Sequence, residues 1–443
     1  MKNSSLVYPA AIVVLMLAAG SQAAHAQDTD SVTEPELYQL DFELGLEHSD
    51  NRARTSPPGS SETALVPRVI LDLSRSGRRM SLRVAGDAEH RQPLSGPFGS
   101  DSQANLAGRL NWHLVHESLD WIVENVTSGS PLDLTREDTP ENRQQTNVFS
   151  TGPRWALRPA APLSGLFDAR YIHSYAQDTD AFNSDRLMLA ARALRRIAPG
   201  QTFSVGVEGT EVRYRDEEFE AADYERLDLV GRYRTTRAEL DLDIAAGRSR
   251  IDLDSGEQLE GNLVRLRLAW TISDRNMLVA SAGHELSDSV RQLAADIEQL
   301  DLPIASNRRL PIGNEFYVLD SLSLGWHYRF GRLDGSLTAG WRDYQFELDP
   351  LLDNEERGIA LGLSWRLSPT MALQGELGLD RREFRDENRR DEDARASLFL
   401  ARQFNPRWSG RVGAIRHERD SNIRGEDSRE NILAVYLTYH AGY

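Results

Sequence analysis

The chain has 443 residues, 68 acidic against 51 basic, no cysteine and a formal net charge of −17. That charge argues against a nucleic-acid partner, and the missing cysteines exclude disulfides, thiolate metal sites and a lipidated-cysteine anchor. Mean hydropathy is −0.50, and no run beyond the N-terminal segment is apolar enough for a membrane-spanning helix.

In chain order, Lys2 and a short apolar run over 10–19 precede the small-x-small motif Ala24-His25-Ala26. This pattern predicts a secretory signal peptide over 1–26, cleaved before Gln27. A short periplasmic linker is expected over 27–36, with 37–443 as one unit. That layout leaves no room for an N-terminal plug, a polypeptide-transport domain or a helical-repeat module. Lys2 is the only lysine, so the other basic side chains are arginine. Arginine forks suit ion-pair ladders and lipopolysaccharide phosphates.

From there the apolar positions repeat with period two. Tyr38, Leu40, Phe42, Leu44 and Leu46 alternate with Gln39, Asp41, Glu43, Gly45 and Glu47. Leu65, Val69, Leu71 and Leu73 follow against Arg68 and Asp72, and then Met80, Leu82 and Val84 against Arg83. Leu106, Leu110, Trp112 and Leu114 oppose Arg109 and His113. Later runs include Leu240, Leu242 and Ile244; Val264, Leu266, Leu268 and Trp270; and Ile359, Leu361, Leu363, Trp365 and Leu367. About 20 such segments (18–22) have the length of a tilted membrane strand.

Short turns are expected at 74–79, 116–118, 234–237, 273–276, 331–332, 368–371 and 405–407. Long polar loops are expected at 48–64, 90–103, 128–146, 176–183, 215–223, 252–260, 287–314, 346–356, 385–392 and 417–430. Alternating short periplasmic turns and long extracellular loops predict an all-β fold: a transmembrane antiparallel up-and-down β-barrel in the outer membrane. Aromatics near the short turns, Trp341 among them, read as a periplasmic girdle.

The odd positions of the last eleven residues, Leu433 to Tyr443, are all apolar or aromatic. Leu437, Tyr439 and Tyr443 read as the signal for the barrel-assembly machinery. On the opposite parity, the charged residues expected to face the lumen are Glu43, Arg68, Arg83, Arg109, Glu239, Asp241, Asp243, Arg265 and Arg267. Acidic and basic strands tend to be neighbours, which predicts a salt-bridged, nearly neutral wall. The spacing of Val290, Leu293, Ile297 and Leu300 predicts one helix inside loop 287–314, capped by Ser287 or Ser289 and stopped by Pro303. Its apolar stripe is expected to fold over or into the pore.

The segment DLDSGEQLE (252–260) lacks full calcium-loop spacing, and none of the histidines sits in a catalytic signature. No cofactor, metal site or enzymatic activity is therefore expected. The expected partners are outer-membrane lipids, lipopolysaccharide and the barrel-assembly machinery.

The polar stretch TPENRQQTNVFSTGPRWALR (139–158) and the strand opening LEHSDNRAR (46–54) carry a family likeness. In these the chain resembles outer-membrane barrels found with PEP-CTERM/exosortase and exopolysaccharide systems. The resemblance implies association with polysaccharide export. Together these readings predict a porin-like channel serving exopolysaccharide or surface-protein export, with a closed structural or assembly-factor barrel as the alternative.

Overall fold

Period-two patterning becomes twenty strands in a computed structural model that describes residues 37–56, 59–137, 139–158, 161–297 and 310–442. The expected signal peptide, linker, Leu300, Pro303 and Tyr443 lie outside the described residues. The wall begins with β1 (Leu37–Ser49), β2 (Glu62–Ser76), β3 (Met80–Ser95), β4 (Asp101–Val115) and β5 (Leu119–Pro131). It continues through β6 (Arg143–Leu157), β7 (Leu163–Ala176), β8 (Ser184–Ala198), β9 (Gln201–Tyr214) and β10 (Tyr224–Arg237). Then come β11 (Leu240–Leu253), β12 (Gln258–Ser273), β13 (Asn276–Ser287), β14 (Tyr317–Phe330) and β15 (Leu333–Phe346). The last are β16 (Asn354–Ser368), β17 (Met371–Phe384), β18 (Arg389–Asn405), β19 (Trp408–Ser421) and β20 (Ser428–His440). Each pairs antiparallel with its chain neighbours, and β1 pairs with β20, so no edge remains.

The two faces separate by parity. Leu433, Val435 and Leu437 are 64%, 55% and 44% exposed, whereas Ile432, Ala434 and Tyr436 between them are buried. The exposed apolar side chains continue around the ring, for example Leu189, Leu229, Leu324 and Leu379. Water does not tolerate an apolar belt of that extent, and a closed barrel is one of two folds that satisfy every backbone group in hydrocarbon. The protein is an outer-membrane β-barrel, with its short turns at the periplasmic end and its long loops outside.

Several local expectations shift. Residues 234–237 belong to β10, and the turn is 238–239. Thr235 and Thr236, both β-formers, extend the strand and keep their register with β11. Glu239 therefore lies in the turn and not on the wall. The connections from β6 to β7 and from β8 to β9 complete the periplasmic set. Strands β3 and β4 run further than their polar ends suggested, shortening the loop at 90–103 to 96–100. Trp341 stands in the extracellular half, its ring N–H donating to Glu355 at 2.6 Å. The other seven tryptophans lie toward the periplasmic ends of their strands.

One interruption is built in. Pairing between β6 and β7 skips Gly152 and Pro153, because proline has no N–H to give. Buried Arg170 replaces the missing ladder by donating to the carbonyl oxygens of Gly152 and Pro153, both at 3.0 Å. A Cβ on Gly152 would stand 2.0 Å from the Ala169 carbonyl oxygen. Gly152→Ala should therefore cost about 1–3 kcal/mol through overpacking. The urea midpoint of the folded barrel in vesicles measures it, and an unchanged midpoint would mean the seam is slack.

Candidate functional site

The inner wall carries a ring of ion pairs. Arg109 reaches Glu124 at 2.7 Å, Arg154 reaches Asp168 at 2.7 Å, Arg192 reaches Glu208 at 3.3 Å and Arg411 reaches Glu43 at 2.9 Å. Arg83 pairs with Asp72, Arg232 with Asp243 and Arg265 with Glu285. Arg68 joins Asp87 at 3.1 Å and Glu89 at 3.4 Å, and Asp241 joins Arg234 at 3.2 Å. Arg267 lies directly opposite Asp243 in the β11–β12 register. The predicted charged residues thus line one face, apart from Glu239, but many choose the other neighbouring strand. Asp243 takes Arg232 of β10, and Glu43 takes Arg411 of β19 two strands away. Arginine reaches diagonally and past the directly opposite residue, so register alone does not name its partner.

At the extracellular end the lumen is crossed from two sides. The β13–β14 loop begins with a helix, α1 (Ser289–Ile297), which packs against β4, β5 and β6 across the ring. Val290 and Leu293 join Leu310 in one buried cluster with Val126, Val148, Tyr317 and Tyr344 from the walls. The part of the apolar stripe carried by Val290 and Leu293 is thus covered by inward side chains. Where the helix docks, β4 and β5 part: their pairing stops at Leu106–Thr127. Side chains bridge the gap, with Gln145 accepting from the Ala104 N–H at 3.1 Å and Asn105 from the Gly129 N–H at 3.0 Å.

Polar contacts fix the helix start. Asp288, not Ser287 or Ser289, is the cap, accepting from the N–H groups of Val290 and Arg291 at 3.0 and 3.2 Å. An aspartate carboxylate offers two oxygens where serine offers one hydroxyl. The same carboxylate accepts from Arg186 at 2.9 Å and from the Tyr224 hydroxyl at 3.1 Å. Ser289 instead donates to the Pro311 carbonyl at 2.7 Å, pinning the far arm of the loop. One turn into the helix, Arg291 lies 3.0 Å from Asp228, with Glu285 and Glu208 at 3.7 and 3.8 Å.

The second crossing is the β5–β6 loop, 132–142, which had no periodicity to announce it. Arg382 of β17 donates to the Leu134 carbonyl at 3.1 Å, and Arg389 of β18 donates to that of Thr135. Glu137 accepts from Ser428 and lies 3.7 Å from Arg419 and 3.9 Å from Arg54. This strap is held by hydrogen bonds and charge, whereas α1 is held by an apolar core as well.

The two loops are expected to respond to acid in opposite senses. Burial pushes the Asp288 carboxyl up, but Arg186, Arg226 and the helix N–H groups outweigh it and hold it below its usual range. Burial is the largest influence on Glu137 and raises it despite Ser428, Arg419 and Arg54. A carboxyl depressed by docking stabilises the docked form above its ordinary pKa and loses that contribution as pH falls through the depressed one. Docking of α1 should therefore weaken below the ordinary carboxylate range, whereas the strap gains as Glu137 protonates. Helix accessibility to protease, measured against pH, should rise only in that acid window, and Asp288→Asn should flatten the rise. A wild-type helix equally protected at low pH would contradict this.

Three histidines each pair with an aspartate: His113–Asp120 at 2.7 Å, His173–Asp185 at 2.9 Å and His284–Asp320 at 2.7 Å. His440 differs, with Asp41 on Nδ1 at 2.7 Å and Ser409 on Nε2 at 2.9 Å. Sequence reading passed over this chain of three, since Asp41 and His440 are 399 residues apart and meet only when the barrel closes. Among the described residues, no group of three or more His, Asp or Glu is placed to hold a metal ion. Leu437 faces outward, and Tyr439 packs on Trp408 with ring centroids 5.1 Å apart.

No family model matches the chain, and no curated protein matches it in sequence. Solved structures similar to it include the siderophore receptor PirA of Pseudomonas aeruginosa, at 13% identity and TM-score 0.43, covering 92% of this chain and 81% of that one. A variant of the ferric enterobactin receptor PfeA of the same organism, in complex with enterobactin, matches at 11% identity and TM-score 0.47 over 92% and 82%. The FrpB iron transporter of Neisseria meningitidis matches at 10% identity and TM-score 0.43 over 91% and 81%. At these identities the likeness reaches the barrel architecture and goes no further.

Proposed function

We propose that the protein is a gated, porin-like outer-membrane channel whose resting state is closed. The observation that carries this reading is the double occlusion of the extracellular mouth, by α1 from one side and the strap from the other. The two crossings are held differently, one by an apolar core and one by hydrogen bonds and charge, which suits a gate. The wall beneath supplies guanidinium and carboxylate groups in nearly equal number, so a hydrophilic solute meets hydrogen-bonding partners without a net charge to trap it. As cargo we propose an exopolysaccharide or surface protein on its way out, as the sequence resemblance implies. Outward arginines near the extracellular rim, such as Arg416 and Arg429, both paired at 2.8 Å with Glu418, suit lipopolysaccharide phosphates.

A second reading, a permanently closed structural barrel, is favoured by the apolar cluster beneath α1, because a gate must expose those side chains to open. Planar-bilayer conductance separates the two. Wild type should be closed with brief openings, and deletion of 289–311 should give a steady current. An unchanged trace from an assembled deletion barrel would remove the gate. Full steady current in wild type would show that the loops do not seal the mouth.

A further inference from the structure

The three-residue chain at His440 lies at the periplasmic end of the closure seam, far from both occluding loops. Asp41 of β1 is directly opposite His440 of β20 in register, and Ser409 of β19 stands diagonally beside it, paired in register with Thr438. The Asp41 carboxylate is 5% exposed, and its second oxygen accepts from Gln39 Nε2 at 2.8 Å. It is thus held from two sides. With Asp41 on Nδ1, the ring proton belongs on that nitrogen, leaving the Nε2 lone pair to accept from the Ser409 hydroxyl. This order is what activates a serine: carboxylate, imidazole, hydroxyl, each within hydrogen-bond reach. The other histidine–aspartate pairs, at His113, His173 and His284, have no hydroxyl on the second nitrogen among the described residues.

Exposure fits chemistry as well. The His440 side chain remains 25% exposed, so the lumen reaches it. Arg411, two residues beyond Ser409 on the same inward face, is turned to other partners: its Nη2 holds Glu43, and its guanidinium lies 4.2 Å from the Tyr436 ring centroid.

We propose that Ser409, His440 and Asp41 form a hydrolytic site at the periplasmic mouth, acting on carboxylic esters of hydrophilic alcohols such as acylated sugars. The inward neighbours Glu43, Thr438 and Arg411 are polar, and the hydrocarbon lies on the other side of the wall, so a sugar ester fits better than a lipid. Ser409 Oγ bonds to the ester carbonyl carbon while His440 Nε2 takes its proton. The carbon–oxygen bond to the alcohol breaks, and the alcohol leaves with that proton. Water then attacks the acyl-serine, passes a proton to Nε2 and releases the acid, and the proton returns to Oγ. Asp41 orients the imidazole throughout and acts as a positioning residue. Substrate enters from the periplasm, so the proposal holds whether or not the extracellular mouth opens.

The test uses the full-length barrel in detergent, with a fluorophosphonate probe and 4-nitrophenyl acetate. Wild type should carry one adduct per barrel, mapped to Ser409 by tandem mass spectrometry, and should turn over the ester. Ser409→Ala should abolish both, and it removes too little to threaten folding, which heat-modifiable migration confirms. Asp41→Asn should lower turnover by about 10²–10⁴-fold and shift the pH profile of kcat/KM, which loss of seam stability alone would not do. An adduct elsewhere, no adduct on folded wild type, or equal turnover in Ser409→Ala would overturn the proposal and leave the three residues as a hydrogen-bonded seam.

Discussion

Asp288→Ala should release α1 from the lumen and turn a closed barrel into a conducting one. The carboxylate is 2% exposed and serves two elements at once, capping the helix and neutralising Arg186 of β8. Without it, the docked helix leaves a buried guanidinium with only the Tyr224 hydroxyl at 3.1 Å and Ser184 Oγ at 3.3 Å. Removing one partner of a buried ion pair costs about 3–5 kcal/mol, and the lost cap adds about 1 kcal/mol. Burial of Val290 and Leu293 returns about 1.5–3 kcal/mol each, so the loss rivals the whole apolar anchor. About 5.5 kcal/mol carries a two-state gate from almost always shut to almost always open. Undocking relieves the penalty at once, because Arg186 then faces water. The expected result is a steady single-channel current together with protease cleavage inside 289–297, neither of which is expected of wild type at neutral pH. Asp288→Asn, which keeps one acceptor oxygen for the helix N–H groups but loses the charge, should lie between. A closed, protease-resistant Asp288→Ala barrel would mean that the apolar cluster alone holds the helix.

The wall of this barrel was legible because lipid imposes a rule on every second residue. Positions such as Phe42, Leu229 and Leu433 have no alternative to being apolar, so strand number, parity and the turn end could be read directly. The interior obeys no such rule. Asp243 has arginines on both adjacent strands, Arg232 and Arg267, and the strand pattern alone does not name its partner. The cap at Asp288 was missed because serine and aspartate both suit the role, and only the position of Arg186 favours the carboxylate. The strap at 132–142 has no periodicity, since it is held largely through its own carbonyl oxygens at Leu134 and Thr135, and any sequence supplies those. Asp41, Ser409 and His440 looked like ordinary lumenal polar residues on three strands. Ring closure makes them neighbours, and a single strand's pattern does not carry that information.

The parity of the wall itself has a quantitative consequence at β16. Leu363 is 43% exposed on the outer face, and Leu361 shares that face near the middle of the strand. Arginine at either position must hold its guanidinium in hydrocarbon or drag water to it, at about 2–4 kcal/mol near the bilayer midplane. Ala360 points the other way, opposite Thr338 on β15 and Gly378 on β17. A Cβ built on Gly378 meets nothing within 4 Å, so an arginine at 360 has space beside it and a polar lumen to enter. Its cost should be set by side-chain ordering and stay well under that of the outward pair. Refolding into vesicles against urea gives both differences on one scale. Leu361→Arg and Leu363→Arg should shift the midpoint strongly, and Ala360→Arg only slightly. Equal shifts at both parities would show that the face assigned to lipid is not in contact with it, and the apolar belt would then need another cover.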